Sequence, residues 1–140
     1  MKLIIASAAT MLALAAPAIA EGDVGKGEKG FKKCKSCHSV ISPDGEAIVK
    51  GGKTGPNLYG VIGRVAGSED FKYGSGLTEA AEAGFVWTED TLAEYTKDPK
   101  KWLGKNGFAK KSKMSFKLKK GGEDVAAWLA SVAPAAAASE

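Results

Sequence analysis

From Glu21 onward this chain holds two cysteines, one histidine and one methionine, and three of the four stand together as Cys34-Lys35-Ser36-Cys37-His38, with Met114 far downstream. That pattern constrains the fold more than any other feature of the sequence. Two thiols this close in sequence cannot staple distant segments of chain together. Their spacing suits two additions to the vinyl groups of one porphyrin, with the adjacent imidazole turned towards the iron. The inventory predicts one covalently held haem c with two axial ligands. A thioredoxin-type redox pair needs a strand before the motif and half of a zinc site needs two further ligands; the sequence supplies neither.

Residues 1–20 read as a cleaved signal peptide. Lys2 gives a positive start, Leu3 to Ala16 carries no charge, and Ala18-Ile19-Ala20 is a small-x-small cleavage pattern. The apolar run is shorter than the roughly 20 residues a bilayer core needs, and Pro17 interrupts its end, which argues against a transmembrane anchor. The expected location is the periplasm, outside the inner membrane where haem c is attached, so leader and motif support each other. Residues 21–133 are expected to form one domain of a size for a single core, and residues 134–140 a flexible Ala-rich tail. The chain has 18 glycines and few long apolar runs, so the haem itself must supply much of that core.

The residue pattern predicts an all-α domain of helices and long irregular stretches, because nothing alternates like a strand for long enough to build a sheet. Asp23 is the expected N-cap of a helix running to about Cys34, with Val24, Gly27, Phe31 and Cys34 on one face. A glycine on a buried face marks the close passage of another backbone. The expected partner is a last helix from about Glu123 to Val132, with Val125, Trp128, Leu129 and Val132 at helical spacing and Trp128 near Phe31 or the Gly27 gap. Ser42-Pro43-Asp44-Gly45 reads as a turn and residues 51–57 as a loop. Thr88 is the expected cap of a further helix that carries Leu92 and Tyr95 inward and ends or turns at Asp98-Pro99. No role is assigned to residues 74–84.

Cys34 to His38, then Thr54-Gly55-Pro56-Asn57-Leu58, Gly63-Arg64, Trp87, Tyr95 and Lys113-Met114-Ser115-Phe116 follow in the order seen in the class I cytochromes c. Over Gly22 to about Val132 the chain resembles that family, and within it the bacterial cytochromes c2 and c550. The resemblance implies the class I cytochrome c fold, with N- and C-terminal helices crossing and the remaining helices and loops wrapped around one haem c. It implies that Cys34 and Cys37 form the thioethers, that His38 and Met114 are the axial iron ligands, and that the Pro56 carbonyl receives the other N–H of His38. It puts Tyr95 near the methionine sulfur and Tyr73, Trp87 and Arg64 near the haem propionates. Met114 is the only methionine after the leader, which leaves an open sixth position or a lysine ligand as the alternatives. Taken singly, Trp87, Tyr73 and Tyr95 read equally as aromatic core, Arg64 as a surface charge and Pro56 as a loop proline.

Residues 95–120 contain ten lysines against Asp98 alone, while residues 66–94 contain seven acids against Lys72 alone. Beyond residue 20 the net charge is only +3, from 19 basic and 16 acidic residues, so the molecule is strongly dipolar. Such asymmetry orients a protein before contact and speeds association with an acidic surface. Lys111, Lys113 and Lys117, joined by Lys32, Lys35 and Lys53, are the expected partner-binding ring around the haem edge. Export and a haem argue against nucleic acid as the partner.

A six-coordinate iron has no site for oxygen or peroxide, so the expected activity is one-electron transfer and not catalysis. The resemblance implies a monomeric shuttle without membrane insertion, docking on acidic faces of membrane redox complexes. Those complexes are the cytochrome bc1 complex as donor, and a photosynthetic reaction centre, a cytochrome oxidase of a respiratory chain or a denitrification enzyme as acceptor. A peroxidase or gas-binding protein needs a labile sixth site with distal acid-base groups, and a sensing module needs a partner domain.

Overall fold

The computed structural model describes residues 22–134; the expected signal peptide at 1–20 and the expected tail beyond Pro134 lie outside the described residues. Helix α1 is Val24–Gly30. Its first turn is capped by Asp23, whose Oδ1 accepts from the backbone N–H of Lys26 at 2.9 Å. The backbone N–H of Asp23 in turn donates to Asp124 Oδ1 at 2.7 Å, which ties the start of α1 to the start of α5, Gly122–Val132. The two helices cross where the sequence has glycine. A Cβ on Gly27 would run into the Asp124 carbonyl and lie 2.7 Å from Trp128 Cβ. One turn further on, the Phe31 and Trp128 rings meet at 4.9 Å between centroids.

Two expectations for this helix need correction. The α-helix stops at Gly30 and passes into a 3₁₀ turn over Phe31–Lys33 instead of continuing to Cys34. Val24 is 44% exposed, while Gly27 and Phe31 are buried. The close approach of α5 is at Gly27, and Val24, three positions earlier in the same helix, lies outside it.

Helix α3, Glu89–Lys97, starts at Thr88 as the residue pattern predicts, with Thr88 and Thr91 hydroxyls capping each other's backbone. It packs on the other side of α5, where a Cβ on Gly122 would stand 3.0 Å from Thr96 Oγ1 and 3.1 Å from the Ala93 carbonyl. Asp98 ends α3 and caps α4, Pro99–Lys105, its Oδ1 accepting from the Lys101 N–H at 3.2 Å. Pro99 at the first helical position loses no hydrogen bond there. The unassigned stretch contains α2, Ser75–Glu82, pinned by its Gly76 N–H on the Lys111 carbonyl and by Glu79 Oε2, which accepts from the Ala109 N–H at 2.7 Å.

Among the described residues, strand is confined to a hairpin of β1, Val40–Ile41, and β2, Ala47–Val49, paired antiparallel. The Ser42–Gly45 turn closes it, with Gly45 at φ +86° and its N–H on the Ser42 carbonyl. So slight a hairpin leaves the class all-α.

Gly25→Ala and Gly27→Ala separate helix propensity from packing. A methyl at Gly25 meets only Asp23 Oδ1 at 3.4 Å, so that variant should gain up to about 1 kcal/mol. Gly27→Ala should lose about 1–3 kcal/mol by overpacking. Urea midpoints of the two variants against the parent check both signs.

Candidate functional site

The 3₁₀ turn delivers the Cys-x-x-Cys-His segment. Cys34 N–H donates to the Phe31 carbonyl at 2.7 Å, and the Cys37 and His38 N–H groups both donate to the Cys34 carbonyl, at 3.1 and 3.0 Å. One tight turn thus carries both thiols and the imidazole. Neither cysteine is in a disulfide.

Loop 51–57 clamps this turn. Gly52 N–H donates to the Lys35 carbonyl and Gly55 N–H to the Cys37 carbonyl, both at 2.8 Å. Ser39, 7% exposed, accepts from Gly51 N–H at 3.1 Å and donates to the Gly52 carbonyl at 3.2 Å. The glycines are there for contact and not for special backbone angles, since none of Gly51, Gly52 and Gly55 has positive φ. A Cβ at Gly51 would strike the His38 carbonyl, one at Gly52 the Ser36 carbonyl, and one at Gly55 the His38 ring. Asn57 holds the loop's far end: its Oδ1 accepts from Ile41 and Tyr59 N–H and its Nδ2 donates to the Ile41 carbonyl.

The Pro56 carbonyl lies 2.8 Å from His38 Nδ1. A carbonyl only accepts, so the proton is on Nδ1 and Nε2 keeps its lone pair. Burial lowers the His38 pKa, partly opposed by the Pro56 bond, which favours the neutral imidazole a metal ligand needs. Burial, with the neighbouring Cys37, pushes the Cys34 thiol up to about 11, while hydroxyls of Thr54 and Ser36 lower that of Cys37.

Met114 comes from a distant part of the chain, on the segment after α4. Ser112 Oγ accepts from the Met114 N–H at 3.1 Å and lies 3.1 Å from the Tyr95 hydroxyl, so α3 positions the methionine segment. Arg64, whose side chain is 16% exposed, donates to the carbonyls of Asn57 and Tyr59 and to Glu69 Oε1 at 2.9 Å. Burial lowers its pKa, and Glu69 and Tyr73 oppose that. Trp87 and Tyr95 belong to an aromatic cluster with Trp102, their ring centroids 5.1–5.6 Å apart.

Cys34, Cys37, His38, Pro56, Arg64, Tyr73, Trp87, Tyr95 and Met114 all border one cavity, which holds ≈ 1450 Å³ of atom-free space, mouth included. Its walls are mainly apolar, with Phe31, Val61, Leu92, Val125 and Leu129 among them. Packing and cavity lining are not alternatives for Trp87 and Tyr95, each 5% exposed and each on the cavity wall. Lys32, Lys35, Lys53, Lys111, Lys113 and Lys117 are all exposed. Lys113 also borders the cavity and stands 5.9 Å over the Phe71 ring, and Lys117 is paired with Asp98 at 2.8 Å. Glu69, Ser39, Phe71 and Trp102 escaped the sequence reading. For Ser39 and Trp102 the following hydrophobic or helical context held a signal; Glu69 sits in an acidic run and nothing there distinguishes it.

No family model matches the chain. A cytochrome c2 of Rhodobacter capsulatus is 58% identical over 130 residues, 91% of this chain and 94% of that protein. The chain belongs to the cytochrome c2 and c550 family of class I cytochromes c. A cytochrome c-551 of Roseobacter denitrificans is likewise 58% identical, over 84% of this chain and 86% of that protein. The crystal structure of ferric cytochrome c-550 from Paracoccus versutus superposes with a TM-score of 0.77 at 59% identity, covering 81% of this chain and all (100%) of that one. Cytochromes of this family are electron carriers and not enzymes, and they hold one haem c covalently; this chain is such a carrier. Its residues fit the group: two thiols one turn apart, a neutral histidine with a free Nε2 lone pair, and an apolar cavity that all of them border. Among the described residues no helix is long and apolar enough to cross a membrane.

Gly55→Ala should push the His38 ring off the Pro56 carbonyl and cost about 1–3 kcal/mol. Thermal unfolding of the holoprotein measures the loss, and His38 ring resonances that stay unshifted by NMR would contradict the clamp.

Proposed function

We propose that the chain is exported, cleaved after Ala20, and works in the periplasm as a one-electron shuttle through a haem c ligated by His38 and Met114. Residues 21–133 form the carrier domain, and 134–140 a tail without a part in the chemistry. The observation that carries this reading is the shared cavity of Cys34, Cys37, His38 and Met114, which come from two distant parts of the chain.

Bound haem supplies a one-electron couple between Fe(II) and Fe(III). Cys34 and Cys37 hold it covalently, one turn of backbone apart. His38 offers Nε2 to the iron while the Pro56 carbonyl fixes its ring and raises its basicity. Met114, a soft neutral donor, favours the reduced metal and raises the potential. Tyr95 acts on Met114 through Ser112. Arg64, Tyr73 and Trp87 are suited to the propionates, since they bring a partly buried cation and two N–H or O–H donors to the same cavity. The apolar lining excludes water, which lowers the rearrangement that accompanies electron transfer.

The exposed lysines Lys32, Lys35, Lys53, Lys111, Lys113 and Lys117 form the docking face for acidic surfaces of membrane redox complexes: a bc1 complex as donor, and a reaction centre, an oxidase or a denitrification enzyme as acceptor. Docking of this kind is fast and weak, and so compatible with turnover.

Met114→His tests the ligation. The parent should give a low-spin spectrum with a methionine-to-iron band; the variant should lose that band and show a lower reduction potential. A parent without the band, or a variant with unchanged spectrum and potential, overturns the His38 and Met114 pair.

A further inference from the structure

Asp98 is the one acid among the ten lysines of residues 95–120, and its two carboxylate oxygens have separate tasks. Oδ1 accepts from the Lys101 N–H at 3.2 Å and caps α4, while Oδ2 accepts from Lys117 Nζ at 2.8 Å. The Lys117 hydrogen bond, then that of Lys101, holds the Asp98 carboxyl below its ordinary range, so it is ionised at neutral pH. Among the described residues no other lysine of that stretch is in an ion pair. The pair is open to solvent, the side chains of Lys117 and Asp98 being 50% and 30% exposed. It borders a shallow recess formed by Lys33, Phe116, Lys117, Leu118, Lys119 and Lys120, with Phe116 44% exposed.

We infer that Asp98 is a built-in competitor for Lys117: a carboxylate-rich protein surface that docks on this recess engages Lys117 only by displacing Asp98. This rests on the docking reading above and refines it. Exchanging one exposed carboxylate for another on the same ammonium changes the free energy little, because both pairs sit in high dielectric. Lys117 therefore adds little to docking while its neighbours add their full share, and the carrier's hold on its partner is weaker than its lysine count implies. An ion pair on the molecule's own surface is a means of keeping association fast and release fast. The partner's chemistry follows from the recess: cations on its walls and an exposed aromatic ring at its edge suit carboxylates flanking an apolar contact.

The test is a double-mutant cycle on the oxidised holoprotein, read as binding to an immobilised polyglutamate peptide at low ionic strength. Asp98→Asn keeps an oxygen for the α4 cap and removes the charge that holds Lys117. Asp44→Asn, in the exposed hairpin turn, makes the same change in net charge without freeing a lysine. Lys117→Gln should cost less than about twofold in the parent and about three- to fivefold in the Asp98→Asn background. Asp98→Asn should tighten binding more than Asp44→Asn does. Equal costs of Lys117→Gln in both backgrounds, or equal gains from Asp98→Asn and Asp44→Asn, overturn the inference and leave the docking face standing if Lys113→Gln still weakens binding. Binding insensitive to every one of these variants, Lys113→Gln included, overturns the docking face and the inference with it.

Discussion

Phe31, Val61, Trp87, Leu92, Tyr95, Val125 and Leu129 are each no more than 7% exposed, and each borders the cavity that Cys34 and His38 also line. These buried side chains therefore form a shell, and the haem c is what they share, while Val40 and Leu103 are buried away from the cavity. A chain of this size has little apolar surface to spare, and here much of it is turned towards a porphyrin and not towards other side chains. The rest of the architecture keeps the shell in shape. The crossing of α1 and α5 at Gly27 closes one side, the packing of α3 on α5 at Gly122 the next, and the aromatic cluster around Trp102 braces the wall behind Trp87 and Tyr95.

Around that shell the backbone is held by local bonds. The histidine side depends on a loop whose backbone lies against the Cys-x-x-Cys-His turn and the His38 ring, and only glycine allows such proximity at three of its positions. The methionine side is held by a side-chain relay, Ser112 between Tyr95 and Met114, and by one backbone bond, the Leu118 N–H on the Thr96 carbonyl at 2.8 Å. The two ligand segments thus differ in how closely the backbone is packed around them. The glycine contacts leave His38 little freedom, and the Met114 segment hangs from a few hydrogen bonds at the edge of the basic face.

The sequence displayed its cofactor more openly than its fold. Cys34, Cys37 and His38 are informative because their meaning lies in spacing, and a covalent attachment tolerates little variation in spacing. Asp23, Thr88, Gly27 and Trp128 were legible because capping and helix crossing are local or periodic. Helix α2 was not, since its first turn has no side-chain cap and its buried positions are Gly76 and Ala80, too small to make an apolar stripe. Helix α4 hid behind Asp98-Pro99, which reads as a stop but also starts a helix. The glycines of loop 51–57 were visible and their reason was not: φ is a property of the residue, whereas the approach of Ser36 and His38 is a property of the fold. Glu69 was silent because its role is a contact with Arg64, five positions away across a loop.

If the haem completes the core, α1 and α5 should not hold their crossing without it. Hydrogen exchange on the chain carrying Cys34→Ser and Cys37→Ser, beside the holoprotein, measures this at the amides of Gly27, Val125 and Leu129. The account predicts strong protection in the holoprotein and exchange near the rates of unfolded chain in the double variant. Protection that survives loss of the covalent haem would mean that the helices make a core of their own and that the shell is not what the structure depends on.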